Sequence, residues 1–290
     1  MHWRKTNHRG FRELIDTFDV TNNKKKSTMK RLSLQTFTIF LSVILFYSCG
    51  PSKKSETSEG TESAPVKKYT LTKAPASFDY PDAGLALVSS TDNLDTGDVA
   101  FEFEVTNYEL AVQTPGAETR GIANSGKGQH IHFILNNDPY SAHYESAFTK
   151  NIPEGNHVVL AFLSRSYHES VKNGMAYVLK EITVGTPETT GDFDETAQHL
   201  FYSRPKGTYS GADTEKLMLD FFLFNTEISP EGNKVRATIN GEENYITEWA
   251  PYYIEGLGKG QVNVKLELLD KDGNLIPGPF NSVERTVTLE

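Results

Sequence analysis

Cysteine is nearly missing from this chain: among 290 residues there is one, Cys49. That excludes an intrachain disulfide framework and every zinc site built from several thiolates. Catalytic signatures are also missing. No G-x-S-x-G elbow and no H-E-x-x-H pair occurs. The stretch Gly121 to Lys127 spells a phosphate loop up to its last residue, but Gly128 follows instead of Ser or Thr, and a strand pattern follows instead of a helix. The chain is therefore read as a non-enzyme. Basic charge is scarce beyond residue 49. Residues 1–49 hold 9 of the 29 basic and 3 of the 38 acidic groups, which leaves 20 basic, 35 acidic and a net charge of −15 for the rest. A nucleic-acid partner is excluded on that balance. Apart from residues 32–48 the chain has no long apolar run.

That run reads LSLQTFTIFLSVILFYS. It follows Met29, Lys30 and Arg31 and ends in Ser48-Cys49-Gly50. A charged start, an apolar middle and a small residue at the cut make a secretory signal. A cysteine at the cut resembles bacterial lipoproteins, in which the residue matching Cys49 carries the lipid. Phe46 and Tyr47 stand where that family has a leucine and a small residue. The expected organisation starts with a misassigned extension (1–28) and a lipoprotein signal peptide (29–48). A Ser/Glu/Lys-rich disordered tether follows (49–68). The expected location is extracytoplasmic, on a bacterial membrane, with the lipid as membrane contact.

The remainder alternates with period two. Val99, Phe101, Phe103 and Val105 share one face and Glu102 and Glu104 the other. Val262, Val264, Leu266 and Leu268 alternate with polar residues in the same way. This is the pattern of strands with one wet face. Turn residues such as Asn136-Asn137-Asp138-Pro139 and Asn240-Gly241 separate the runs. The order of patterns also repeats after just over a hundred residues: FEVTNYEL with FFLFNTEI, HIHFILNN with KVRATING, and PEGNHVVLAFL with GKGQVNVKLEL. An all-β chain of two tandem immunoglobulin- or fibronectin-III-like β-sandwiches is predicted, at 69–186 and 187–290. Small barrels are the alternative. The runs GQHIHFILNNDPY, FLSRSYHESVKN, FYSRPKGTYSG and IPGPFN further resemble a family of uncharacterised Bacteroidetes lipoproteins with tandem Ig-like domains, some labelled phosphopeptide-binding. The resemblance implies fold and location and transfers no catalytic residue.

Histidine carries the individual character. All six histidines beyond residue 49 lie between His130 and His199, and the positions aligned with the first five in the second repeat hold none. The fold therefore does not need them. His130 and His132 alternate with Ile131 and Phe133, so both face away from the core. A two-residue turn at Asn137-Asp138 would set His132 opposite His143 and His130 opposite Glu145. These four would then share one face and form a site for zinc or copper, with no other cofactor indicated. A one-residue shift at Pro139 would move His143 and Glu145 to the other face. The plain alternative is a solvated polar face like that of Lys234 and Arg236 in the second repeat. His157, aligned with Val262, is expected inward and structural. Arg165, Arg204 and Lys206, with nearby hydroxyls, form a second candidate, for a carboxylate or phosphate. Trp249 is expected in the core. The function predicted is a lipid-anchored envelope binding module with a protein, peptide or glycan ligand, metal-linked through the histidines. A structural spacer or adaptor is one alternative, and a binder of anionic or phosphorylated peptides another.

Overall fold

The computed structural model describes residues 69–89, 91, 94–189 and 193–290. Cys49, the signal segment and the tether lie outside the described residues. Sixteen strands follow in order: β1 (Thr70–Lys73), β2 (Gly84–Leu87), β3 (Gly97–Thr106), β4 (His130–Leu135), β5 (Ser141–His143), β6 (Ala147–Ile152), β7 (Gly155–Ser164) and β8 (Tyr177–Val184). Then come β9 (His199–Arg204), β10 (Thr208–Tyr209), β11 (Lys216–Phe224), β12 (Lys234–Ile239), β13 (Glu242–Ile246), β14 (Tyr252–Glu255), β15 (Gly260–Leu269) and β16 (Ser282–Leu289). No helix among the described residues is long and apolar enough to cross a membrane.

The strands form four sheets in two sandwiches, as the repeat predicts. The first sandwich pairs sheet β2-β3-β6 with sheet β5-β4-β7-β8. The second pairs β1-β14-β11-β9 with β10-β16-β15-β12-β13. In β3, Val99, Phe101 and Phe103 are buried and Ala100, Glu102 and Glu104 exposed. They meet Ile131, Phe133, Val159 and Leu163 in the first core. Val235, Ala237, Val262, Val264 and Leu266 fill the second. The repeat extends to a single turn device. Asn136 and Asn240 both adopt left-handed backbone, with φ 51° and 48°. Each side-chain oxygen accepts a backbone N–H from the neighbouring strand, Val158 at 2.8 Å and Asn263 at 2.9 Å. Asparagine tolerates that conformation because its short amide bonds locally.

One boundary needs correction. β1 lies within the span assigned to the first sandwich, yet it pairs with β14, Leu71 opposite Ile254. The cause is apolar: Tyr69 is buried in the second core and Leu71 packs against it. The first described strand thus belongs to the second sandwich, and the next one, β2, to the first.

The described residues of 69–290 fall in one compact unit, and a third apolar layer explains why. Ile134, Val158, Leu160 and Phe162 point away from the first core. They meet Phe201, Phe222 and Phe224, which point away from the second. Phe162 and Phe222 lie 4.9 Å apart, centroid to centroid. Asp220, fully buried in the middle of β11, pairs with Lys172 of the first sandwich. A buried carboxylate is tolerated only with such a partner. The Asn137 side chain bonds the edge of β9, donating to Leu200 O at 3.1 Å and accepting from Tyr202 N–H at 2.9 Å.

Candidate metal centre

His130 and His132 do turn outward from the first core, as the alternation requires. That outward face is covered by the second sandwich, so both rings are fully buried. The solvated face expected of the second repeat exists there: Arg236 pairs with Glu267 at 2.8 Å and Glu243 at 3.2 Å.

His143 does not join them. The turn falls one residue early, at Asn136 and Asn137 (φ 51° and 61°), closed by Asp138 N–H to Leu135 O at 2.8 Å. An extra residue then enters before β5, and Ile131 sits opposite His143 and His132 opposite Ala142. The one-residue shift carries His143 to the opposite side of the sheet. There it stacks on Phe148 at 3.4 Å and bonds Ser141 Oγ at 2.8 Å. Glu145 lies beyond the strand and is exposed. The predicted set of four is therefore corrected to two. His157 is inward and structural: its Nε2–H donates to Pro153 O at 3.0 Å, and its Nδ1 accepts from Asn136 at 2.9 Å.

The third imidazole comes from the loop after β7. His168 has φ 69°, an uncommon conformation for a side-chain-bearing residue. His168 N–H donates to Arg165 O at 2.8 Å, closing the tight turn that holds it. The ligand atoms of His130, His132 and His168 all lie within 4.8 Å of one another. His130 Nε2 is 2.9 Å from His132 Nε2 and 3.1 Å from His168 Nδ1. Alternation alone cannot find His168, because it sits in a turn rather than on a strand. Its only sequence signal is membership of the histidine cluster that the second repeat lacks.

A backbone carbonyl fixes the tautomer of His130. His130 Nδ1–H donates to Gly128 O at 2.7 Å, so its Nε2 presents a lone pair to the other two rings. That lone pair can accept a ring N–H from His132 or His168, or join the other two rings on a shared cation. The Tyr140 hydroxyl lies 3.2 Å from His168 Nδ1, within hydrogen-bond distance. Metal–imidazole bonds of ~2.0–2.1 Å in tetrahedral geometry hold nitrogens ~3.3 Å apart, close to two of the separations here. The Gly128 carbonyl plays the part of the outer partner that orients a ligating ring. Only glycine fits at 128: φ is 89°, and a Cβ would lie 2.4 Å from Val112 O.

Electrostatics keep all three rings neutral. Burial pushes His130 down to about 4, with Arg204 adding to the effect. Burial likewise holds His132 well below its ordinary value, and burial and Arg204 do so for His168. Neutral imidazole is the form that ligates a metal.

The arginine candidates separate. Arg165 is buried and fully engaged. It donates to Phe78 O at 3.0 and 2.7 Å and to Ser170 O at 3.0 Å, and it pairs with Glu169 at 3.2 Å. It offers nothing to a ligand, so its place in the anion set is withdrawn. Arg204 and Lys206 instead border the histidines through Tyr140. The Tyr140 ring stacks on His132 at 3.5 Å and carries the Lys206 ammonium 4.2 Å from its centroid. The two sites proposed from sequence thus lie beside each other, with the Tyr140 ring between them. Trp249 belongs to the layer between the sandwiches, 5.4 Å from Phe222, with its Nε1–H donating to Phe221 O at 2.9 Å.

The fold is that of paired immunoglobulin/fibronectin-III-like β-sandwiches. No protein-family model matches the chain, and no curated protein does. Among solved structures it is similar to the fibronectin(III)-like modules of Clostridium thermocellum CbhA. Identity there is 11%, over 71% of this chain and 94% of that one, with a TM-score of 0.26. It is also similar to Bacteroides ovatus SGBP-B of the mixed-linkage glucan utilization locus, solved with a mixed-linkage heptasaccharide. Identity is 10%, coverage 71% and 47%, TM-score 0.20. The β-glucuronidase of Parabacteroides merdae gives 8% identity, 72% and 24% coverage and a TM-score of 0.21. Likenesses of this size transfer neither ligand nor activity.

Proposed function

We propose that this protein is a non-catalytic binding module of the bacterial cell envelope, tethered by lipid on Cys49, whose seat is a transition-metal site formed by His130, His132 and His168. The convergence of three neutral imidazoles, two buried and one half-buried, at the junction of the two sandwiches carries this reading. Zinc and copper are the ions that such a ligand set suits. Elemental analysis of the purified protein tests it. About one equivalent of zinc or copper, or uptake of one with a Kd tighter than ~100 μM, is expected. Neither stoichiometric metal nor saturable uptake would overturn it. The anchor is tested separately: Cys49→Ala is expected to move the protein from the membrane fraction to the soluble one. A purely structural spacer or adaptor is the competing reading, favoured by the buried Lys172–Asp220 pair that fixes one sandwich on the other. Partners that survive loss of the three histidines would support it. Recognition of anionic or phosphorylated peptides now rests on Arg204 and Lys206 alone.

A further inference from the structure

We infer that Arg204 and Lys206 form an oxyanion site that abuts the three-histidine centre. The argument begins with charge that has no counter-charge. Some other buried or half-buried cations have a carboxylate, as Arg165 has Glu169, Lys172 has Asp220 and Arg236 has Glu267, while Arg120 and Lys150 bond neutral oxygens. Arg285 is engaged otherwise, donating to Ser203 O at 3.2 Å and Asn137 O at 3.0 Å with its guanidinium 4.2 Å from the Tyr202 ring centroid. Arg204 is 7% exposed. Among the described residues it has no carboxylate within 4.0 Å, and neither has Lys206. Arg204 Nη1 donates to the Tyr209 hydroxyl at 2.6 Å, while its Nε is buried without a partner. Arg285 likewise leaves its Nε buried without a partner, and a chain with 35 acidic groups beyond residue 49 still leaves Arg204 and Lys206 without a paired carboxylate. A buried charge left unpaired is strongly unfavourable, so a counter-ion belongs there.

The surroundings suit an oxyanion. The guanidinium fork and the ammonium supply charged donors. Arg204 and Lys206 lie 5.6 and 4.2 Å from the centroid of the Tyr140 ring, whose hydroxyl reaches His168. A cleft of ≈ 290 Å³, lined in part by Asn137, Lys206 and Arg285, lies on the Lys206 side and is room for a small guest. Asp138 and Glu284 also line it and disfavour a highly charged one. The inference leans on the metal reading in one respect. With metal bound, three neutral ligands and two nearby cations make this region strongly positive, which favours an anion beside it.

Calorimetric titration of the purified protein tests it, with phosphate, sulfate and acetate each added to metal-free and to zinc-treated samples. Saturable binding at a Kd of about 1 mM or tighter is expected, weakened at least ~tenfold by Lys206→Ala and unchanged by Lys271→Ala on the exposed surface. Preference for phosphate or sulfate identifies a tetrahedral oxyanion, and preference for acetate identifies a carboxylate. Absence of saturable binding for all three anions overturns the inference, as does wild-type affinity in Lys206→Ala. Anion binding without zinc uptake leaves this site standing and removes the metal centre. Zinc uptake without anion binding does the reverse.

Discussion

At the residue scale, four histidines of the first sandwich are held neutral by burial, and this makes stability depend on pH. His143 is depressed to about 4, by burial first and by Lys150 second, and His130 to about 4. The unfolded chain takes up protons near the ordinary value of ~6.5. Between those values the unfolded state binds more protons than the folded one, so stability rises with pH there. Their contribution is complete above pH ~6.5 and is lost as the pH falls toward 4. Thermal unfolding followed from pH 7 to 4 is expected to show that decline, and His143→Gln is expected to make it shallower. A melting temperature that does not change across this window would contradict the account. At this scale the sequence reads unevenly. The outward direction of His130 and His132 follows from alternation. The fate of His143 hangs on one residue in a turn, and both turn positions are compatible with Asn136-Asn137-Asp138. His168 owes its place to a left-handed turn that no periodicity encodes.

At the element scale, β7 and β11 decide how the sandwiches meet. β15 alternates polar and apolar residues over Val262, Asn263, Val264 and Lys265, and its counterpart β7 reads VVLAFL. β3 alternates, and its counterpart β11 reads LMLDFFLF. Loss of alternation in one copy only means that the second face of that strand is covered as well. The layer between the sandwiches was therefore written in the comparison of the two repeats, and period-two counting within each strand passes over it. Asp220 is the polar interruption in that layer. Removing one member of a buried pair leaves the other unpaired, so Asp220→Ala should cost about 3–5 kcal/mol in urea unfolding. The double change Lys172→Met with Asp220→Leu, which leaves no stranded charge, should cost far less. Equal losses for the single and double variants would mean that the pair is not what holds this junction.

At the scale of the whole molecule, a shared aromatic layer makes two sandwiches behave as one body. Calorimetry should therefore give one cooperative transition for residues 69–290. Phe222→Ala, which empties the centre of the layer, should destabilise by about 3–5 kcal/mol and separate the unfolding of the two halves. Two independent transitions in the unaltered protein would contradict that coupling. The tandem architecture was legible from the internal repeat. The crossing of β1 into the second sandwich was not, because a four-residue strand carries too little pattern to show which sheet it joins. The same covering of one sandwich by the other brings His130 and His132 together with His168, Arg204 and Lys206. The measurement that bears most directly on the centre is titration of zinc and copper into the purified protein and into its His168→Gln and His143→Gln variants. The wild type and His143→Gln are expected to bind one equivalent with equal affinity, and His168→Gln to bind at least ~tenfold more weakly. No binding by any of the three, or equal binding by all, would contradict the centre described here.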